Sequence, residues 1–498
     1  MTAQFRLRSV TAFGKTMPPL SVQIGAADEE RGNAFTAITG KNGVGKSRLL
    51  SAAAAAFEGL SSGRSRRGVS AAVEFEVDGI LVEAEISRGQ ITYNPSIANF
   101  GSSKAPGPTR VIATTASAFD KFDIPRISEA RNIRQELTNY RYLGLKDSRG
   151  RISATAGLYR ALENIFDGLS ADNYRRSAIS GVFADLGYQP RVEVLYSWTH
   201  AGEEFLTEGV AAGIPGYVAF DNRPESKFRV NPGSSLDMNG RLLVLEEAAS
   251  LAAEVEDRGK LRLHADFVDH TASSRIQHLR AAQQLRRAGL IRIESVNLFR
   301  DGSSEPVDVQ YASSGEMSLV TTMLGIASSI DDASLVLIDE PEISLHPELQ
   351  SQYIPRLRSV FRNFDGCHFV VATHSPLIIA GMPDRQSQVI SLESTNVRIP
   401  ERATDGARLE MDQTERFERS TDAVLLNTFN VAGPDNLYLK QTLVRALRIA
   451  TKGDLASEEF SYLSSVLNDA LTASALSLNL RRVIEDLNKT VDRVRGVQ

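Results

Sequence analysis

A chain of 498 residues exceeds one typical domain and can bury a sizeable core, so two or three structural units are expected. Hydrophobic residues make up 42% and charged residues 23%, an ordinary globular balance, and a net charge of −5 excludes a uniformly basic nucleic-acid binder. The single cysteine, Cys367, excludes an intramolecular disulfide and fits a reducing compartment. No stretch reaches the roughly 18–20 apolar residues of a membrane span. The N-terminus, Met1-Thr2-Ala3-Gln4-Phe5-Arg6, lacks the apolar run of a signal peptide, so a cytoplasmic protein without membrane contact is expected.

In chain order, strands are predicted at Phe5–Val10, Ser21–Gly25 and Ala34–Thr39, the last running into a glycine-rich turn. Lys46–Leu60, with its alanine run, predicts a helix, and Ser61–Gly68 a basic loop. Val73–Ile86 alternates apolar and polar residues about Asp78-Gly79, a hairpin signal. Asn94–Pro108 reads as a linker and Arg110–Thr115 as a strand.

From 126 to 289 the character changes. Helices are predicted near Ser153–Ile165, Leu242–Glu256 and Ser273–Arg287, with strands near Arg191–Trp198 and Leu261–Phe267. Between Arg126 and Arg160 arginines and lysines alternate with Tyr140, Tyr142 and Tyr159. This run is either a solvated face or a local nucleic-acid surface. No heptad pattern persists long enough for a coiled coil. Beyond it, strand and helix alternate through Glu316–Ile330, Leu335–Ile338, Glu348–Phe364, His368–Ala372 and Gln388–Leu392, which argues for a largely parallel sheet. After about Arg419 the chain reads as helical to its end.

Four elements carry chemistry. Gly40-Lys41-Asn42-Gly43-Val44-Gly45-Lys46-Ser47 follows an apolar strand and opens a helix, the context in which a G-x-x-x-x-G-K-[ST] loop cradles phosphates with backbone N–H groups. Lys46 would reach the terminal phosphates of ATP and Ser47 would ligate Mg²⁺. Leu335–Glu342 delivers Asp339 and Glu340 from a buried strand to a sheet edge: Asp339 to hold Mg²⁺, Glu340 to polarise the attacking water. Ser313-Ser314-Gly315-Glu316 lies at a helix start about 25 residues before Asp339. It is either a second anion site or an ordinary helix cap. His374 ends the strand roughly 35 residues after Asp339, where a γ-phosphate contact or a structural role is open to it.

In this order the four elements resemble the ABC ATPase superfamily: Walker A, signature, Walker B and switch histidine. The resemblance covers residues 5–125 and 290–395. It implies an α/β head with a mixed sheet, flanking helices and an antiparallel β-subdomain, interrupted by a helical insertion and followed by an all-helical tail. The implied units are an N-terminal lobe (1–125), an insertion (126–289), a C-terminal lobe (290–395) and a helical assembly region (396–498). It also implies two heads pairing head to tail, possibly within a larger oligomer, so that Ser314 acts on the partner's nucleotide. The run Asp339-Glu340-Pro341-Glu342-Ile343-Ser344-Leu345-His346-Pro347 with Thr373-His374-Ser375-Pro376 looks like the RecF/OLD-like group, making Ser344–Pro347 the D-loop with His346 near nucleotide. His346 reads equally as the residue before a proline-started helix.

Roughly 270 residues separate Lys46 from Ser314 without a coiled coil, which argues against an SMC-type armed protein. No Q-loop glutamine is recognisable in Val111–Phe122, where a Ser or Thr would replace it. The tail carries no Asp-x-Asp pair and no histidine after His374, and Asp221 with Glu225-Ser226-Lys227 is a poor nuclease pattern. Phe119-Asp120-Lys121-Phe122 resembles the PtuA-like ATPases of Septu and certain retron antiphage systems, which implies a separate HNH nuclease as partner. Two other functions stay open: a RecF-like DNA-repair ATPase, and an ATP-clamped scaffold with little turnover.

Overall fold

The computed structural model describes residues 4–14, 17–25, 32–63, 70–87, 90–93, 106–124, 139–146, 158, 161–162, 165–166, 173–204, 251, 260–269, 274, 276–287, 289–383, 387–392, 408–409, 421–427, 431–432, 436–473 and 476–496. Three sheets organise them. The first is antiparallel, in the order β2 (Leu20–Gln23), β1 (Phe5–Ala12), β4 (Ala71–Val77), β5 (Ile80–Ser87), β6 (Gln90–Tyr93). Along β5 the alternation is clean, with Val82, Ala84 and Ile86 inside and the glutamates between them exposed. Asp78 and Gly79 turn the expected hairpin with both residues at positive φ, 51° and 81°, which matches the right-handed twist of the flanking strands.

The second sheet holds the chemistry. Its order is β16 (Arg408–Leu409), β15 (Ser387–Leu392), β3 (Ala34–Gly40), β14 (His368–Ala372), β13 (Leu335–Asp339), β7 (Val111–Thr115), β8 (Tyr140–Tyr142). All neighbours run parallel except β16 against β15. The tail, expected to be helical throughout 396–498, thus contributes one strand, because β15 presents an open backbone edge that Arg408–Leu409 satisfies. β13 is buried along its whole length, since both faces of the sheet are covered. Leu335 and Leu337 enter the core shared with the first sheet and with α1 (Lys46–Ser62), while Val336 and Ile338 enter the opposite core. At the start of β14, His368 Nδ1 accepts the N–H of Leu7 at 3.0 Å and Nε2 pairs with the Thr36 hydroxyl at 2.9 Å, locking the two sheets together. Burial, with help from Arg6 and Arg8, pushes the His368 ring down to about 3, so it is neutral.

The third sheet is antiparallel, in the order β10 (Lys260–Asp266), β9 (Tyr188–Trp198), β11 (Ile291–Arg300), β12 (Pro306–Asp308). β9 and β10 come from the stretch expected to be a helical insertion, and β11 and β12 from the expected C-terminal lobe. The anticipated boundary at 289/290 therefore runs through one sheet. Its physical origin is the period-2 burial of β9, where Val192, Val194, Tyr196 and Trp198 all face inward. Three helices of the same stretch are α2 (Asn173–Asp185), α3 (His200–Glu204) and α4 (Ile276–Arg287), and α2 packs on both β9 and α5 (Ser314–Ser329).

After β13 come α6 (Pro347–Val360) and, after β14, α7 (Pro376–Ala380). The chain ends in α8 (Thr421–Asn427), α9 (Leu437–Thr451), α10 (Glu458–Ala470) and α11 (Leu478–Gly496), which share a core of their own. α8 rests on α7 and so joins this bundle to the head. Among the described residues no helix is long and apolar enough to cross a membrane. All of the helix expected at Leu242–Glu256 but Leu251, most of the linker 94–108, most of the basic loop 61–68 and the weak pattern at Asp221, Glu225 and Lys227 lie outside the described residues. So does most of the basic run 126–160. Of it, Lys146 is ion-paired with Asp120 at 2.9 Å and Arg141 is partly buried, donating to the Tyr140 carbonyl.

Truncating Leu337 to alanine should cost about 2–5 kcal/mol of stability, read as a lowered denaturant midpoint. Ile80→Ala at the hairpin, where the side chain is 48% exposed, should stay within about 0.5 kcal/mol of the unaltered chain.

Candidate active site

The parallel register sets the site. Ala372 of β14 lies beside Ile38 on one side and Asp339 on the other, and Thr115 of β7 lies beside Asp339. Loops leaving β3, β13, β14 and β7 therefore emerge at one carboxyl edge, where open parallel sheets bind ligands.

β3 gives way to the phosphate-type loop at Gly40, whose φ is 146°; a Cβ there would lie 2.5 Å from the Leu392 carbonyl oxygen. α1 then starts at Lys46 with Gly45 as its cap, and no side chain caps its first N–H groups. The first turn also lacks an acidic residue, so the helix end keeps its full attraction for an anion. Asn42 and Gly43 are exposed on the loop, and Val44 N–H closes it on the Lys41 carbonyl at 3.3 Å. Lys46 is 4% exposed and donates to the Gly40 carbonyl at 3.1 Å and to His374 Nε2 at 2.5 Å. Burial lowers the Lys46 ammonium from its ordinary value, opposed by Glu340, Asp339 and Glu342. Burial also lowers the His374 ring, and the Lys46 cation adds to this, so the imidazole is neutral at neutral pH and accepts a hydrogen bond from the lysine ammonium.

Asp339 ends β13 and is 1% exposed. Its Oδ1 accepts the hydroxyl of Ser47 at 3.1 Å. Burial above all pushes the Asp339 carboxyl up to about 7, with Glu340 and Asp120 adding repulsion against the Ser47 hydrogen bond and Lys46. A buried carboxylate short of positive charge beside a serine hydroxyl is a hard-oxygen pair that fits Mg²⁺, which keeps most of its waters and takes few protein ligands. Glu340 follows with φ 49°, a conformation rare outside glycine, and its N–H donates to the Ala372 carbonyl at 2.9 Å.

Ser313-Ser314-Gly315-Glu316 forms a second group. Ser313 caps α5 by accepting the Glu316 N–H at 3.3 Å, and both serines are exposed. Gly315 packs so tightly that a Cβ would stand 2.4 Å from the Ser344 carbonyl oxygen. Ser344 itself has φ 68°. Glu316 accepts the Tyr188 hydroxyl at 2.5 Å and faces Arg300 at 3.7 Å, tying the third sheet to the start of α5. The contacts of Ser313–Glu316 run to Ser344, Tyr188 and Arg300 rather than to Gly40–Ser47 of the same chain. His346 joins this second group as the exposed cap of α6, its Nδ1 accepting the Glu348 N–H at 3.4 Å with Pro347 in the first turn. Of its two sequence readings, the helix-starting one is present in the geometry.

Sequence reasoning missed two participants. Glu342 accepts the Thr373 hydroxyl at 2.8 Å and the His374 N–H at 2.6 Å. Its only sequence signal is a glutamate two places after Glu340. Asp120, whose side chain is fully buried, accepts the Tyr142 hydroxyl at 2.8 Å, the Lys146 ammonium at 2.9 Å and the Phe122 N–H at 3.0 Å. This cluster occupies the segment where a Q-loop was sought. Thr115 Oγ1 there accepts the Ser117 N–H at 3.0 Å, and Ser51 of α1 donates to the Lys121 carbonyl at 2.7 Å.

Residues 244–380 match a family described as "AAA domain, putative AbiEii toxin, Type IV TA system", a span holding Ser313–Glu316, Asp339, Glu340, His346 and His374 but not Gly40–Ser47. The chain is 32% identical over 107 residues to "Protein ea59" of Escherichia phage lambda, covering 21% of this chain and 20% of that protein. It is 32% identical over 94 residues to "Retron Ec83 probable ATPase" of Escherichia coli (17% of each), and 26% identical over 96 residues to "Retron Vc95 probable ATPase" of Vibrio cholerae serotype O1 biovar El Tor, covering 19% of this chain and 18% of that protein. The matches thus span about a fifth of the length of these curated relatives. Among solved structures, the SMC head domain from Thermotoga maritima aligns at 13% identity and TM-score 0.30 over 78% of this chain and 94% of that one. The Pyrococcus furiosus Smc head bound to the C-terminal domain of ScpA aligns at 12% and 0.32 over 78% and 93%.

Two outcomes are expected. The folded-state value of Asp339 lies above its ordinary 3.8, so without metal the native chain holds an extra proton between about pH 4 and 7. Its contribution to stability is complete below that window and is lost as pH rises through about 7. Melting temperature against pH, without Mg²⁺, should fall more for the unaltered chain than for Asp339→Asn, while Mg²⁺ affinity should rise with pH across the same range. Gly315→Ala should lower the melting temperature by several degrees, because neither Ser344 nor the α5 backbone can yield the missing space.

Proposed function

We propose that the chain binds and hydrolyses ATP with Mg²⁺ as an ABC-type ATPase, and that it serves an antiphage system. The observation that carries this reading is the convergence, at one sheet edge, of Lys46 on His374 and of Ser47 on Asp339. The description of the matched family and the names of the two retron relatives support the ATPase activity and the defence setting.

The triphosphate is received by the N–H groups of Gly40–Ser47 and the unneutralised start of α1. Lys46 exchanges its Gly40 carbonyl and His374 partners for the terminal phosphates, and the neutral His374 becomes a donor to the γ-phosphate through its ring N–H. Ser47 and Asp339 would hold Mg²⁺, which would supply neutralisation of charge developing on the phosphate oxygens. Glu340, the next residue along the chain, orients the attacking water. The Ser313-Ser314-Gly315 end of α5, with both serines exposed, completes the site of a second head in a head-to-tail dimer, and the D-loop at Ser344–Pro347 moves with it because Gly315 rests on Ser344. The resemblance to PtuA-type ATPases supports a separate nuclease as the downstream effector, docked by the helical tail.

Lys46→Ala should weaken ATP–Mg²⁺ binding at least about tenfold by titration, and Glu340→Gln should keep binding while losing about 10²-fold or more in turnover. Glu340→Gln with ATP should also raise the dimer fraction in sedimentation. Unchanged ATP affinity in Lys46→Ala, or full biological activity in a Glu340→Gln protein that no longer turns over, would defeat the ATPase reading, the latter in favour of a nucleotide-clamped scaffold. Cells carrying the system with Lys46→Ala should lose protection in a phage plating assay.

A further inference from the structure

Glu342 lies two residues beyond Glu340, in the turn leaving β13, and its carboxylate is committed to the loop that carries His374. One oxygen accepts the His374 main-chain N–H at 2.6 Å and the other the Thr373 hydroxyl at 2.8 Å. Thr373 is fully buried, and its own oxygen accepts the Ser375 N–H at 2.9 Å. From the far side, the Ser375 hydroxyl donates to Gln350 of α6 at 2.6 Å, and Gln350 donates onward to the Leu345 carbonyl at 3.0 Å. Three consecutive residues are thus fastened at both flanks, and the ring of the middle one meets Lys46.

A carboxylate gripping one loop with both oxygens makes strong, directional bonds that fix the loop against it. We propose that Glu342 is a positioning residue for the ATPase step: it sets the orientation of the Thr373–His374 peptide, and through it the height of the His374 imidazole over Lys46 and the terminal phosphates. The assignment rests on the ATPase reading above. It places Glu342 outside the set that touches substrate and links the D-loop, through Gln350 and Ser375, to the same imidazole.

The test is steady-state ATP hydrolysis by the full chain carrying E342Q, E342D, T373V and H374A, alone and combined. The amide of E342Q keeps the reach of glutamate: its oxygen accepts the His374 N–H and its NH₂ donates to Thr373. Turnover should stay within about threefold of the unaltered chain. E342D keeps the charge but falls one methylene short, so kcat should drop about tenfold while KM for ATP changes less than about twofold. T373V, which deletes one hydroxyl, should give a smaller loss in the same direction and supplies the reading if E342D melts early. On H374A neither change should cost more, because the group they position is gone. A reversed ranking, with E342D active and E342Q inactive, would overturn the assignment by making the charge itself the agent, as would losses that multiply in full on H374A. An unaltered chain that fails to hydrolyse ATP would instead defeat the ATPase reading itself.

Discussion

The site exists because β14 lies between β3 and β13. Ala372 pairs with Ile38 on one side and with Asp339 on the other, although β3 and β14 are separated by more than 300 residues of chain. Parallel pairing of such distant strands carries a loop-closure cost, which the two apolar faces of β14 repay: Phe369 and Val371 fill one core, Val370 and Ala372 the other. Slipping β14 by one residue would exchange those faces and carry His374 away from Lys46. Hydrophobic register therefore brings the lysine and the histidine to the same sheet edge.

On that frame sits an unusual density of buried charge. Lys46, Asp339, Glu342 and Asp120 are all largely withdrawn from water, and burial is the leading influence on Lys46, Asp339 and Glu342. Isolated ions in such a place would be costly. Each is instead held by directional partners: Glu342 by Thr373 and His374, Asp120 by Tyr142 and Lys146, Asp339 by Ser47. Asp339 is the least compensated, its carboxyl lifted to about 7, and so is the group that gains most from a divalent cation. Partial compensation of this kind suits a site that must take up metal and phosphate together.

The second polar group, around Ser313–Glu316, is built by packing of another kind. Gly315 lets α5 press on the Ser344 carbonyl, while Tyr188 and Arg300 grip Glu316 from the third sheet. Tyr188 and Arg300 are cross-strand neighbours in β9 and β11, so a shift of that sheet bears directly on the first turn of α5. α8 rests on α7, which begins two residues after His374, and so joins the C-terminal bundle to the head close to the site.

Local chemistry was legible in the residues themselves. A glycine-rich loop between an apolar strand and a helix, a four-residue apolar run leading into two carboxylates, and Asp-Gly at a hairpin each encode a backbone shape within a few positions, and the described elements have those shapes. What lies between distant segments was not. Nothing local announces that β9 and β10 complete a sheet with β11, that Arg408–Leu409 covers an open edge, or that Glu342 clasps the loop after β14. His346 shows the limit from the other side: proline after histidine specifies a helix start whatever the neighbours are, and that is the role it holds. Sequence by itself determined which atoms suit phosphate and Mg²⁺, because that depends on residue type and local backbone; only the tertiary structure decided which of those atoms meet, because strand register and burial act across the whole chain.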